Sequence, residues 1–200
     1  YGQNVLNHSL EVSYLAGIDT VRETIEDPQL GKFVREYIFD EVIPTIDIPH
    51  DQMVAYSNSV LERYGNPFVR HELMSIALNS VTKYKTRNLP VVLQSIEAGS
   101  FPKHALFSLA ALIAFYRGKR DNEDIALKDD EWALDFFKKE WSNFDGSKEA
   151  CRRIVTDFLG LEHHWELNLN NLKGVTDFVT DCLYEIETKP MREALAFIGC

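Results

Sequence analysis

The stretch PKHALFSLAALIAFYRG (102–118) decides most of what this chain can fold into. From Ala105 to Tyr116 it carries a single polar residue, Ser108, and no charge. A helix that is apolar on every side must be covered on every side, so it belongs at the centre of a bundle. It is too short to cross a bilayer, which takes roughly 20 apolar residues. The expected fold is all-α: a multi-helix, bundle-like single domain.

The rest of the chain supplies the cover. Leu10, Tyr14, Leu15, Ile18, Val21 and Ile25 recur at three- and four-residue steps. Asp27-Pro28 reads as an N-cap followed by proline in the first turn of the next helix, which carries Leu30, Phe33, Val34, Tyr37, Ile38 and Val42. Pro44 and Pro49 prevent IPTIDIP (43–49) from being helical throughout. A third helix is expected from about His50 to Tyr64, ending at Gly65. Residues 68–93 read as one helix, a polar basic break, and another helix. GKRDNEDIALKDD (118–130) reads as a charged surface loop, and helices follow near 130–141, 147–159, 171–187 and 190–198. No stretch shows sustained strand alternation.

Two hundred residues suffice to bury a real core, and a net charge of −10 argues against sequence-independent nucleic-acid binding. No nucleic-acid or membrane partner is expected. The cysteines, Cys151, Cys182 and Cys200, are odd in number and form no CxxC pair, which suits free thiols in a reducing, cytoplasmic setting. With no initiator Met, the chain reads as part of something longer.

There is no GxGxxG, P-loop, GxSxG or HExxH. The compact polar feature is NSVTKYKTR (79–87), with Asn79, Lys83, Lys85 and Arg87 between apolar segments. Arg holds a carboxylate bidentately and Lys adds a point charge, so an anionic small molecule fits. A solvated helix end whose cations complement the helix dipole has the same sequence, and the residues alone leave both open. His71, eight residues before Asn79, falls about two turns earlier on the same face if one helix spans both. His163 and His164 point about 100° apart on a helix and share one metal poorly.

His8 and the pair His50-Asp51 raise a metal alternative. YGQNVLNHSLEVSYLAGI (1–18) resembles the helix carrying the first metal His of ribonuclease Y-like HD domains. That resemblance implies a metal-dependent phosphohydrolase using His8. The rest of the HD pattern is missing, since His50-Asp51 follows Pro49 at a helix start and no later Asp sits in an HD context. No metal ligand is assigned.

A longer resemblance begins near Ser13. SYLAGIDTVRETIEDPQLGKFV, FDEVIPTIDIP, LERYGNPFVRHELMSIALNSVTKYKTRNLP and FSLAALIAFYRG occur in order and resemble the C-terminal helical domain of the long-chain mannitol dehydrogenase family, nearest its uronate-reductase branch. The resemblance implies the substrate domain of a two-domain oxidoreductase. NAD would be bound mainly by an N-terminal Rossmann-like domain that this chain lacks. Hydride would pass between nicotinamide and the carbonyl of a sugar acid of the tagaturonate/altronate type. It also implies a Lys as general acid-base, with an Asn and a His polarising the carbonyl, from a stretch just before the segment matching SYLAGIDTVRE. Here the Lys would precede residue 1, and the family's Asn and His would fall near Gln3 and Leu6. The nearest residues of those types are Asn4 or Asn7 and His8, two places out of register. Asn4 and His8 are the catalytic candidates. Lys83 and Arg87 are the leading substrate contacts, with Lys85, His71 and Asn79 beside them. Residues 1–12 read as an atypical N-terminal segment and 13–200 as the family domain. A non-catalytic helical module is the remaining alternative.

Overall fold

The computed structural model describes residues 9–200. His8 and Asn4 therefore lie outside the described residues. The chain forms helices α1 (Leu10–Leu15), α2 (Val21–Glu26) and α3 (Pro28–Glu36). A π-helical turn (Tyr37–Val42) and a 3-10 turn (Ile43–Thr45) lead to α4 (His50–Tyr64). Then come α5 (Leu73–Ile76), α6 (Ser80–Arg87), α7 (Leu89–Glu97) and α8 (Lys103–Phe115). After a small hairpin come α9 (Glu131–Ser142), α10 (Lys148–Leu159), α11 (Glu162–Trp165), α12 (Val175–Thr188) and α13 (Met191–Ala194), the last running into a 3-10 turn (Leu195–Ile198).

Helix α8 is the axis of the fold. Every residue from His104 to Phe115 is buried. It packs most extensively against α12, which packs in turn on α10, while α1 lies along another side of α8. Each Leu, Ile or Phe removed from water in this way contributes about 1.5–3 kcal/mol before conformational costs. Phe137, Phe158 and Trp165 extend the core through ring contacts, with Phe158 and Trp165 edge to face at a centroid separation of 5.2 Å.

Local signals set the helix starts as expected. Thr20 and Glu23 close a capping box at α2. The Asp27 carboxylate accepts from the backbone N–H groups of Gln29 and Leu30, and Pro28 opens α3. Ser9 stands at the N-cap of α1 without capping it through its side chain. The charged loop includes a two-residue antiparallel hairpin pairing Lys119 with Asp124 and Arg120 with Glu123.

The segment 66–88 differs from the sequence reading. The basic stretch is itself helical, as α6, and the break falls before it. Asn79 adopts the left-handed conformation, with φ 54° and ψ 42°. That separates the short α5 from α6, so His71 and Asn79 do not share a helix. His71 lies in the connection before α5, exposed, and its carbonyl accepts from the Val21 N–H at 3.0 Å. Among the described residues, no helix is long and apolar enough to cross a membrane.

Candidate functional site around helix α6

Helix α6 displays its cations on two faces. Lys83 and Arg87 are one turn apart and share a face, while Lys85 is rotated by about 200° from Lys83. The Lys83 ammonium is half-buried and donates to the carbonyl of Ile76 at 2.7 Å. Burial lowers its pKa, Arg87 lowers it further, and Glu11 and Asp129 oppose that shift. Lys85 approaches Glu166 at 3.6 Å on the other side. Arg87, with Thr86, lines a cavity of about 390 Å³ walled by Tyr37, Met53, Tyr56 and Gln94. Asn79 is exposed at the N-terminal end of α6, and its carbonyl accepts from the Lys83 N–H. The structure thus brings Lys83 and Arg87 together on one face, sets Lys85 apart, and leaves Asn79 and His71 exposed.

Asp129 fixes the start of the helix. Its carboxylate accepts from the Val81 N–H at 3.3 Å and from the Tyr116 hydroxyl. Burial raises the Tyr116 pKa and this hydrogen bond adds to the rise.

Three buried polar side chains border α6 with atoms left unpaired among the described residues. Glu11 of α1 is 2% exposed, and its Oε1 has no hydrogen-bond partner. Burial pushes its carboxyl up to about 7, against the lowering effects of its own backbone N–H, Ser80 and Lys83. Asn88, directly after Arg87, is fully buried with neither side-chain polar atom paired. His164 Nε2 is buried and unpaired, and burial, then Lys85, holds the imidazole below its ordinary pKa. Buried polar atoms are nearly always paired in native proteins, so these are points beside α6 where a water or a ligand atom can complete the pairing. The sequence reading missed Glu11, Asp129 and Asn88, and treated His164 only as half of a histidine pair. The unusual feature that could have drawn notice was Glu11, an acid inside the apolar period of α1.

His50 and Asp51 are both exposed at the start of α4. Asp51 occupies the first helical turn, where an acid complements the dipole.

Comparison with known proteins agrees with this architecture. Residues 8–187 match the family model described as the mannitol dehydrogenase C-terminal domain. The chain is 40% identical over 185 residues to an altronate oxidoreductase of Klebsiella pneumoniae subsp. pneumoniae, covering 92% of this chain and 38% of that protein. It is 39% identical over 186 residues to an altronate oxidoreductase of Yersinia pestis, with the same coverage. The chain therefore spans 38% of the length of these relatives. Among solved structures, it is similar to Pseudomonas fluorescens mannitol 2-dehydrogenase in ternary complex with NAD and D-mannitol. The TM-score is 0.83 and the identity 18%, over 98% of this chain and 40% of that one. A substrate-free D-sorbitol dehydrogenase matches with a TM-score of 0.74 at 20% identity, over 96% of this chain and 38% of that one. These likenesses do not favour the HD-type reading of residues 1–18. With the family model matched across most of its length, the chain belongs to the mannitol dehydrogenase C-terminal domain family.

Proposed function

We propose that this chain is the substrate domain of an NAD-dependent hexuronate oxidoreductase that interconverts tagaturonate and altronate. The observation that carries the reading is the polar cluster on α6, where Lys83 and Arg87 share a face beside buried Glu11, one of whose oxygens is unpaired, and buried Asn88. Its support is the 40% identity to an altronate oxidoreductase. A sugar acid differs from a neutral polyol by one carboxylate, and paired cations in a half-buried setting recognise that difference.

The described residues do not fit a dinucleotide. The sheet among them is a hairpin of two-residue strands, and no glycine-rich turn leads from a strand into a helix. The NAD site of the proposal therefore belongs to a preceding domain, and no step involving the cofactor is assigned to this chain. In this reading residues 1–12 are an atypical N-terminal segment and 13–200 the substrate domain. Lys83 and Arg87 hold the carboxylate. Lys85, Asn79 and His71 line the approach. His8 and Asn4 are the candidates for polarising the substrate carbonyl.

The test is oxidation of altronate by NAD⁺ with the whole protein, followed as NADH absorbance, beside other hexonates and the neutral hexitols. Preferential turnover of altronate supports the assignment. Equal turnover of a neutral polyol sinks the carboxylate reading.

A further inference from the structure

A second polar cluster lies where the end of the described chain meets α3 and α8. His104 is 2% exposed at the start of α8. Its Nδ1 is 2.8 Å from Glu41 Oε1. The Glu41 carboxylate also accepts from the backbone N–H groups of His104 at 2.7 Å and Ala105 at 2.9 Å. An acceptor anchored in this way fixes Nδ1 as a donor and turns Nε2 outward. Nε2 lies 2.8 Å from Glu36 Oε2 and 3.7 Å from Cys200 Sγ, and the Cys200 thiol donates to the same Glu36 oxygen at 3.2 Å.

We propose that Glu36, His104 and Cys200 form a binding site for a Zn²⁺-class divalent cation, with Glu41 orienting the imidazole. One carboxylate oxygen, one imidazole nitrogen and one sulfur all lie within 4.8 Å of one another. Tetrahedral zinc with these ligands separates them by about 3.3–3.5 Å, so each observed separation is within roughly 0.5 Å of a bound geometry. Glu41 on the far ring nitrogen supplies the carboxylate–histidine arrangement that orients metal-bound imidazoles. The mixed S, N and O donor set selects zinc over magnesium or calcium. Glu36 retains 28% side-chain exposure, which leaves a side open for a fourth, solvent-derived ligand.

The sulfur is already held in place. Lys32 Nζ donates to the Gly199 carbonyl at 2.9 Å, and Lys103 Nζ donates to that of Ile198 at 2.8 Å. Gln29 Nε2 reaches the carbonyl of Cys200 at 3.4 Å. Glu36, Glu41 and the Cys200 thiolate then face the dication and Lys32, whose Nζ is 3.6 Å from Glu36 Oε1. Uptake displaces to solvent both the thiol proton and the proton shared between His104 Nε2 and Glu36, and no redox step is involved. The site ties Cys200 to α3 and α8, elements remote in sequence, and so acts as a structural clamp.

The test is Co²⁺ titration of the whole protein after chelator treatment, followed by thiolate-to-cobalt absorption in the near-ultraviolet and by competition with Zn²⁺. We expect the band to appear with one equivalent, to vanish on added Zn²⁺, and to be missing in Cys200→Ser. Glu41→Gln weakens binding by roughly 10- to 100-fold. No band in the unaltered protein, or an undiminished band in Cys200→Ser, overturns the proposal. Because Cys200→Ser replaces a partly exposed thiol with a hydroxyl that still donates to Glu36, loss of the band is separable from loss of the fold.

Discussion

Lys83 reaches back along its own chain to the carbonyl oxygen of Ile76, 2.7 Å from its ammonium. That bond uses one of the three donors an ammonium carries. It also pins the charge at the joint between α5 and α6, beside Glu11. Arg87, one turn on, lines the neighbouring cavity. Two cations of different reach thus sit along a single helix face, one tethered and one opening into space.

Glu11 makes the stability of the domain depend on pH. Its carboxyl is raised from 4.5 to about 7, chiefly by burial. Between those values the folded state keeps a proton that the unfolded state has lost, so stability falls as pH rises through this window and levels off above it. The shift corresponds to roughly 3 kcal/mol. Urea unfolding of Glu11→Gln and the unaltered protein at pH 5 and pH 8 checks this. The variant gains on the unaltered protein as pH rises, and a difference that stays constant with pH refutes the account.

Asn79 is held at φ 54°, a conformation that side chains with a Cβ tolerate poorly, Asn least so. Asn79→Ala is expected to cost about 1 kcal/mol, whereas Asn79→Gly stays within about 0.5 kcal/mol of the original. Denaturant midpoints of the two variants give the comparison. Equal losses would mean that the side chain, not the backbone, is what matters there.

Gly31 lies inside α3, where replacement by alanine ordinarily stabilises a helix by about 1 kcal/mol. Here a Cβ would stand 2.7 Å from the Ile25 carbonyl oxygen of α2. Gly31→Ala is therefore expected to destabilise, by about 1–3 kcal/mol. Thermal unfolding reads the sign directly, and a raised midpoint would show that α2 and α3 are packed less tightly than the structure has them.

The parts of the fold legible from sequence are those set by local rules. Helix α8 is uncharged from Ala105 to Tyr116 because no side of it meets solvent, and Asp27-Pro28 starts α3 through its own side chain and ring. The break at Asn79 was hidden because the apolar period runs through it. Leu73, Ala77, Val81 and Tyr84 are all buried although two helices share them. The π-helical turn at Tyr37–Val42 carries no residue that forbids an ordinary helix, so packing selects it. In the site, the charges of Lys83 and Arg87 were visible as a cluster. Glu11 gains meaning only when α6 is laid against α1, 70 residues away. The Glu36–His104–Cys200 triangle likewise joins parts of the chain that no local pattern connects.

The central claim is that Lys83 and Arg87 read a substrate carboxylate, and kinetics on matched substrates tests it most directly. Steady-state kcat/KM is to be measured for altronate and for a neutral hexitol with the whole protein, Lys83→Met, Arg87→Met and the double variant. Each single change removes a charge-assisted contact worth about 1.5–3 kcal/mol, and so is expected to lower kcat/KM for altronate by roughly 10- to 150-fold, mostly through KM. Turnover of the hexitol, which has no carboxylate to lose, is expected to change several-fold at most. Equal losses on both substrates, or full altronate activity in the double variant, would contradict the account.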